Sequence, residues 1–302
     1  MAEQRAKAAP ETTLAYLELA AKFLAGRGVA SPRLDAELLL AQVIATDRVG
    51  VYLRFDRPLG SVEVDAYRAL IKRRGEGEPV AHLTGRREFW SRAFTVTPDV
   101  LVPRPETELV VERALAMVVS RDRALRVLDL GTGSGAIAVA LATELPQAQV
   151  TAVDCSEAAV EVATGNAASA GVDGRVRVVL SDWTTALDSG ARFDLVVSNP
   201  PYIPSDDIAA LAPEVRREPR LALDGGADGL DAYRLIVPEA ARVLAPGGAL
   251  VLEVGAGQAE QVAALLVAAG FDAVGGHADL AGIERVVDGL AVAGSARRAA
   301  SS

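Results

Sequence analysis

Residues 11–28 place Leu14, Leu17, Ala21 and Leu24 at helical spacing, and Gly26 and Gly28 end the run. Ser31-Pro32 then opens a second helix, with Ser at the cap and Pro in the first turn. Leu34, Leu38, Leu39, Val43 and Ile44 form its apolar face. A third helix begins at Ser61, with Val64, Tyr67, Leu70 and Ile71 turned inward. The three predict a small bundle, and the pattern leaves open whether it stabilises the chain or docks a substrate. From residue 79 the character changes. Phe89 to Val96 alternates and is rich in aromatics, which predicts a hairpin. Val102-Pro103-Arg104-Pro105-Glu106-Thr107-Glu108 is a stiff lead into a helix near 106–119. Strands then fall near 126–130, 149–154, 175–180, 193–198 and 248–254. Helices fall near 135–145, 157–170, 229–244 and 258–269. Such alternation is the rhythm of a doubly wound parallel sheet. Two short strands near 271–277 and 283–288 complete a set of seven. The expected division is a helical domain over 1–78, a linking hairpin segment over 79–105, a sheet domain over 106–290 and a loose tail over 291–302.

Composition narrows this picture. A chain of 302 residues is longer than most single cores, so two domains are expected. Half of it is hydrophobic, which argues against disorder. No apolar run approaches the roughly 18 residues of a membrane span, and the first residues lack the apolar segment of a signal peptide. The lone cysteine, Cys155, excludes an internal disulfide and fits a reducing cytosol, so a cytoplasmic location is expected. With two histidines and one cysteine, a protein-held metal is not expected. The net charge of −9 is uneven: residues 1–85 hold 12 Lys+Arg against 11 Asp+Glu, and the remainder 19 against 29. That acidic remainder is a poor surface for free nucleic acid.

The chemistry-bearing stretches lie at strand ends. Asp129-Leu130-Gly131-Thr132-Gly133-Ser134-Gly135-Ala136 is a strand end, a glycine turn and a helix start. Glycines let a ligand approach the backbone, and the carboxyl edge of a first strand is where such sheets bind nucleotides. The stretch also satisfies a dinucleotide form, so by itself it does not name the ligand. Asp129 before the loop would repel a pyrophosphate and favour a cationic ligand such as S-adenosylmethionine. Asp154, ending the second strand, stands where an acid binds ribose hydroxyls; capping the next helix is its other reading. After the third strand, Asp182 can accept adenine amino hydrogens and Trp183 can cover the ring, unless Asp182 is simply a solvated loop acid. Phe193 to Ser198 reads as a buried strand that Asn199-Pro200-Pro201-Tyr202 stops abruptly. An Asn oxygen, the Pro200 carbonyl and an aromatic ring within four residues can grip a planar group with two N–H donors. His82, His277 and Cys155 read as structural.

These motifs resemble the S-adenosylmethionine-dependent amino-methyltransferases. Further stretches narrow the resemblance to the release factor glutamine methyltransferases of the HemK type. They are residues 34–40, 77–85, 88–90, 101–108 (Leu101-Val102-Pro103-Arg104-Pro105-Glu106-Thr107-Glu108), 218–223 and 225–230. The likeness spans about residues 12–288. It implies a Rossmann-like seven-stranded methyltransferase sheet with a small N-terminal helical bundle and a linking β-hairpin. It implies methyl transfer to the side-chain amide nitrogen of the glutamine in the Gly-Gly-Gln loop of class I peptide chain release factors, with the bundle docking that partner. Asn199, Pro200, Pro201 and Tyr202 would bind the amide. Gly131, Thr132, Gly133, Ser134, Gly135, Asp154, Asp182, Trp183 and Asn199 would hold the cofactor. Rival readings are a methyltransferase for a ribosomal-protein glutamine, an adenine-amine nucleic-acid methyltransferase, a non-catalytic cofactor-binding adaptor and an NAD oxidoreductase.

Overall fold

The computed structural model describes residues 12–292 and divides into two compact units. The first comprises residues up to Gly85 together with Ala212–Arg217. Its helices are α1 (Thr13–Ala25), α2 (Pro32–Val43), α3 (Arg48–Leu53), α4 (Ser61–Gly75) and α5 (Val80–Thr84). α3 and α5 were not predicted; at six and five residues they are too short to show a helical period. α5 contributes Leu83 to the bundle core, and the first unit runs to Gly85. Leu17, Leu24, Leu39, Leu40 and Tyr67 fill that core.

The inward face of α2 departs from expectation. Leu34 is exposed, whereas Asp35 and Glu37 are buried. Buried carboxylates need partners, and these have them. Glu37 takes Arg33 Nε at 2.8 Å, Arg48 Nη2 at 2.7 Å and the Tyr52 hydroxyl. Arg74, itself buried, donates Nε to Asp35 at 2.7 Å and pairs with Glu214. Ser31 sits at the α2 cap position, but its side chain makes no cap bond.

The second unit holds Arg86–Leu211 and Glu218 onward. It opens with a hairpin of β1 (Arg86–Phe89) and β2 (Arg92–Thr95). Trp90 and Ser91 both carry positive φ, as a two-residue primed turn requires. A 3₁₀ turn (Pro105–Thr107) leads into α6 (Glu108–Met117). β3 (Arg126–Leu130), α7 (Ala136–Glu144), β4 (Gln149–Asp154), α8 (Glu157–Ser169), β5 (Val176–Leu180) and β6 (Phe193–Ser198) follow. α9 (Asp231–Val243), β7 (Leu244–Glu253), α10 (Ala259–Ala268), β8 (Phe271–Ala278) and β9 (Glu284–Ala291) end the unit. Ala291, assigned by sequence to the tail, is buried in β9, and residues 293–302 lie outside the described residues.

Among the described residues, seven strands form one sheet in the order β5-β4-β3-β6-β7-β9-β8. β3 to β7 pair parallel, and β9 pairs antiparallel with both β7 and β8, so β9 alone runs against the other six. Val127 and Leu195 point to the layer of α6 and α7, and Leu128 and Val196 to that of α9 and α10. Both faces are therefore covered, which is why the central strands read as continuous apolar runs.

Candidate active site

The chain leaves β3, builds outward through β4 and β5, and returns as β6 on the other side of β3. That reversal creates a crevice at the carboxyl ends of β3 and β6, the position where open α/β sheets bind ligands. Leu130 pairs with Ser198, and Ser198 Oγ donates to the Leu130 carbonyl at 2.7 Å. The glycine turn and Asn199 therefore emerge side by side.

The glycine turn is tied at several points. Thr132 N donates to the Val153 carbonyl at 2.9 Å, and Gly133 N to Asp154 Oδ2 at 2.9 Å. Gly133 has φ of 55°, and a Cβ there would meet nothing within 4 Å. Gly135 is needed for packing: its φ is 80°, and a Cβ would lie 3.1 Å from that of Ala163, so it lets α7 start close against α8. Asn166 on α8 is a residue the sequence reading missed. It donates Nδ2 to the Ser134 carbonyl at 2.8 Å and exchanges two bonds with the Thr95 backbone, joining the turn to the hairpin. An Asn amid alanines on a helix was the available signal.

Asp129 is not where the sequence argument put it. It is fully buried beneath the turn, accepts from Thr132 Oγ1 at 2.7 Å and does not line the crevice. Burial pushes its carboxyl up to about 7, with the Thr132 hydroxyl and the Ala138 amide pulling the other way. Its work is to brace the loop. Asp154 does line the crevice, and its second oxygen accepts from Ser156 N at 3.0 Å. The α8 cap is Ser156, which accepts from Ala159 N, so Asp154 is not the helix cap.

A cavity of about 240 Å³ opens there. Gly131, Thr132, Gly133, Ser134, Asp154, Asp182, Trp183 and Asn199 line it, joined by Pro201. Gly131 approaches the Trp183 ring closely, since a Cβ on it would lie 3.7 Å from the ring edge. Two further straps, residues 99–104 and 219–222, were not predicted as wall. They are joined by buried Glu218, which accepts from Val102 N at 3.0 Å and pairs with Arg104. The wall thus carries Asp99, Asp154 and Asp182, and its cation Arg104 is already neutralised. That balance suits a positively charged ligand and opposes a pyrophosphate.

Asn199 Nδ2 donates to Thr107 Oγ1 at 3.1 Å, which leaves Asn199 Oδ1 free of that contact. Thr107 and Glu253 are both buried. Burial pushes the Glu253 carboxyl up to about 7, and the Thr107 and Tyr202 hydroxyls draw it back. Three expected site residues stand elsewhere. Gly135, Pro200 and Tyr202 do not line the cavity. Pro200 is buried, and Tyr202 packs its ring into the α9–α10 core layer with its hydroxyl 3.4 Å from Glu253 Oε1. A strand end turns away from the crevice at alternate residues, and Tyr202 follows that alternation.

Comparison with known proteins adds the following. A family model described as the PrmC N-terminal domain matches residues 15–85, and a methyltransferase domain model matches residues 121–267. A release factor glutamine methyltransferase of Geobacter sulfurreducens is 49% identical over 269 residues, covering 88% of this chain and 92% of that protein. One of Burkholderia pseudomallei is 50% identical over 260 residues, covering 85% and 91%. Among solved structures, a 16S rRNA methyltransferase of T. thermophilus in complex with AdoMet and guanosine superposes with a TM-score of 0.50 at 23% identity. It covers 68% of this chain and 49% of its own, and it shows the fold alone.

Proposed function

Because this chain belongs to the release factor glutamine methyltransferase family, we propose that it methylates the side-chain amide nitrogen of the glutamine in the Gly-Gly-Gln loop of class I peptide chain release factors. The observation that carries the site assignment is the placing of Asn199 beside the glycine turn, across one pair of hydrogen-bonded strands. Residues 1–85 would dock the protein substrate, and exposed Tyr52, Leu53 and Phe55 give that unit apolar surface to do so. Release factors and the free thiol of Cys155 both fit a cytoplasmic setting.

S-adenosylmethionine fits the donor set. The acidic wall suits its sulfonium and ammonium charges, and the bare backbone at Gly131 and Gly133 admits close approach. Thr132 and Ser134 would complete the cradle. Asp154 would hold the ribose hydroxyls and Asp182 the adenine amino group, with Trp183 over the ring. When bound, this cofactor supplies an electrophilic methyl group.

The chain's own residues then do the rest. An amide nitrogen is a weak nucleophile because its lone pair is shared with the carbonyl. Asn199 Oδ1 accepts one amide N–H, and the backbone carbonyl of Pro200, a residue otherwise buried behind the cavity wall, would accept the other. Together they fix the nitrogen in line for attack and stabilise the positive charge that grows on it. Pro201 closes the wall beside them. Tyr202 acts through the shape of the strand end and not by lying on the amide. No dedicated base is needed, because a protonated N-methyl amide is strongly acidic.

Incubating the protein and S-adenosylmethionine with a purified release factor should add one methyl to the loop glutamine, read by mass spectrometry. No added mass on that residue, with the methyl going to a ribosomal protein or to nucleic acid, would reject the assignment. Asp154→Ala should weaken cofactor binding by roughly 10- to 100-fold by calorimetry, since a charge-assisted bond of about 1.5–3 kcal/mol is lost. Its two backbone bonds, to Gly133 N and Ser156 N, go with it. Unchanged affinity would reduce Asp154 to a scaffold residue.

A further inference from the structure

Pro200 and Pro201 have no N–H, so no backbone donation can tie the two residues that follow Asn199. The stretch is stiff all the same, because each proline fixes its own φ and holds the residue before it extended. A stiff stretch is placed by its ends. The near end leaves β6, where Ser198 Oγ donates to the Leu130 carbonyl at 2.7 Å. At the far end the Tyr202 carbonyl accepts from Gln258 Nε2 at 2.9 Å. Gln258 is buried and stands at the N-cap position of α10. Capping that helix would be its ordinary role, but its side chain makes no cap bond. It turns to the strand end instead. Nε2 also faces the Gly229 carbonyl at 3.4 Å, and Oε1 accepts from Gly255 N at 2.9 Å. That set fixes the amide: turned over, it would set its oxygen against two carbonyls and its NH₂ against an N–H. The space around it is closed as well. A Cβ on Gly229 would lie 2.6 Å from Gln258 Nε2, and one on Gly255 would lie 2.7 Å from Oε1 and 3.1 Å from Tyr202 Cδ2. Two glycines thus make the room that the amide occupies.

We propose that Gln258 is a positioning residue: by gripping the Tyr202 carbonyl it fixes the far end of the proline-stiffened stretch, and with it the Asn199 oxygen and the Pro200 carbonyl that take the substrate amide. The inference rests on the proposed roles of Asn199 and Pro200. It adds a residue 56 positions beyond Tyr202, outside the Asn-Pro-Pro-Tyr stretch. Gln258 does not line the cavity, so its effect must pass along the stretch. It therefore belongs in the rate of transfer and not in the binding of cofactor or protein substrate.

The test compares Gln258→Leu, Gln258→Glu and Val262→Ala, with Asn199→Ala as reference. Activity is read per cofactor-binding site, counted by calorimetry, so that unfolded chain does not enter kcat. Leucine removes all three bonds. Glutamate keeps an oxygen for Gly255 N but has no NH₂ for the Tyr202 carbonyl. Val262 is buried on the same helix and touches the packing of α10 alone, so its truncation reports a merely structural loss. Gln258→Leu and Gln258→Glu should each lower kcat on a release factor by roughly 10- to 100-fold, as loss of orientation does. KM for the release factor and cofactor affinity should both stay within about threefold, because the loss falls in the transition state. Val262→Ala should keep kcat while melting earlier. Gln258→Leu at wild-type kcat, with Asn199→Ala inactive, would overturn the clamp and leave Asn199 in place. Gln258→Glu at wild-type kcat would overturn it too, since the bond to Gly255 would then be the one that matters. So would a Val262→Ala as slow as Gln258→Leu, or loss of cofactor binding in both Gln258 variants, either of which makes Gln258 a support of the fold. Asn199→Ala at wild-type kcat would instead reject the underlying role of Asn199, and a wild-type enzyme that leaves the release factor unmethylated would reject the proposed function itself.

Discussion

Asn199→Ala is expected to lower kcat for release-factor methylation by about 10²–10³, while S-adenosylmethionine binds within about threefold of wild type. The size follows from what the side chain supplies. An acceptor fixed before the reaction stabilises charge that develops only as the nitrogen is alkylated, and removing one such group costs about 2.7–4 kcal/mol of barrier. The ground state loses little. The cofactor's proposed contacts come from the glycine turn, Asp154, Asp182 and Trp183, which Asn199 does not hold together; it leans instead on Thr107. So the loss belongs in kcat and not in cofactor affinity. Single-turnover transfer of labelled methyl, beside calorimetry on the same variant, separates the two. A variant that turned over normally would remove Asn199 from the chemistry. One that failed to bind cofactor would show that it builds the pocket.

How far the chain could be read before its structure follows the range of the interactions involved. β3 to β7 and α7 to α10 were legible because strands buried on both faces show as apolar runs and the helices between them keep a 3.6 period. The glycine turn was legible because its constraint is local. The direction of β9 was not: an apolar run says that a strand is buried, not which neighbour it pairs with. Asp129 was misplaced because a strand-end acid reads alike whether it faces ligand or the underside of a loop; here Thr132 and burial settle it. The two straps of the cavity wall were invisible for a simpler reason. Glu218 joins them to each other across more than a hundred residues, through one backbone amide and one guanidinium. The same holds for residues 212–217, which leave the sheet unit's sequence to pack with the helical one through Glu214 and Arg74. Thr107 reads from sequence only as part of a helix lead, since nothing local marks its hydroxyl as the neighbour of Asn199.

Gly229→Ala should be as damaging as loss of a site residue, although residue 229 touches no ligand. The chain beyond Asn199 is held by a second glycine turn. Ile203 N donates to the Leu223 carbonyl at 3.0 Å, Gly225 N to the Ile203 carbonyl at 2.8 Å, and Gln258 Nε2 to the Tyr202 carbonyl at 2.9 Å. Gly229 lies against that bracing. A Cβ on it would overlap the Tyr202 carbonyl oxygen and come within 2.6 Å of Gln258 Nε2. The residue also has φ of 77°, so alanine adds backbone strain of about 1–2 kcal/mol. The overlap is with backbone, which cannot swing aside as a side-chain tip can, and overpacking of this kind costs about 1–3 kcal/mol more. The easiest relief is to push the Tyr202 peptide, and with it the proline-stiffened stretch back to Asn199. A shift of about 1 Å at an orienting group can lower the rate about 10²-fold. Gly171→Ala is the control: φ is 69° there, but a Cβ would meet nothing within 4 Å. It should lose only the strain term in a urea melt and keep full methyl transfer. If Gly229→Ala matched Gly171→Ala in both stability and turnover, the second turn would be a bystander. The rigid delivery of Asn199 would then have to come from the two prolines alone.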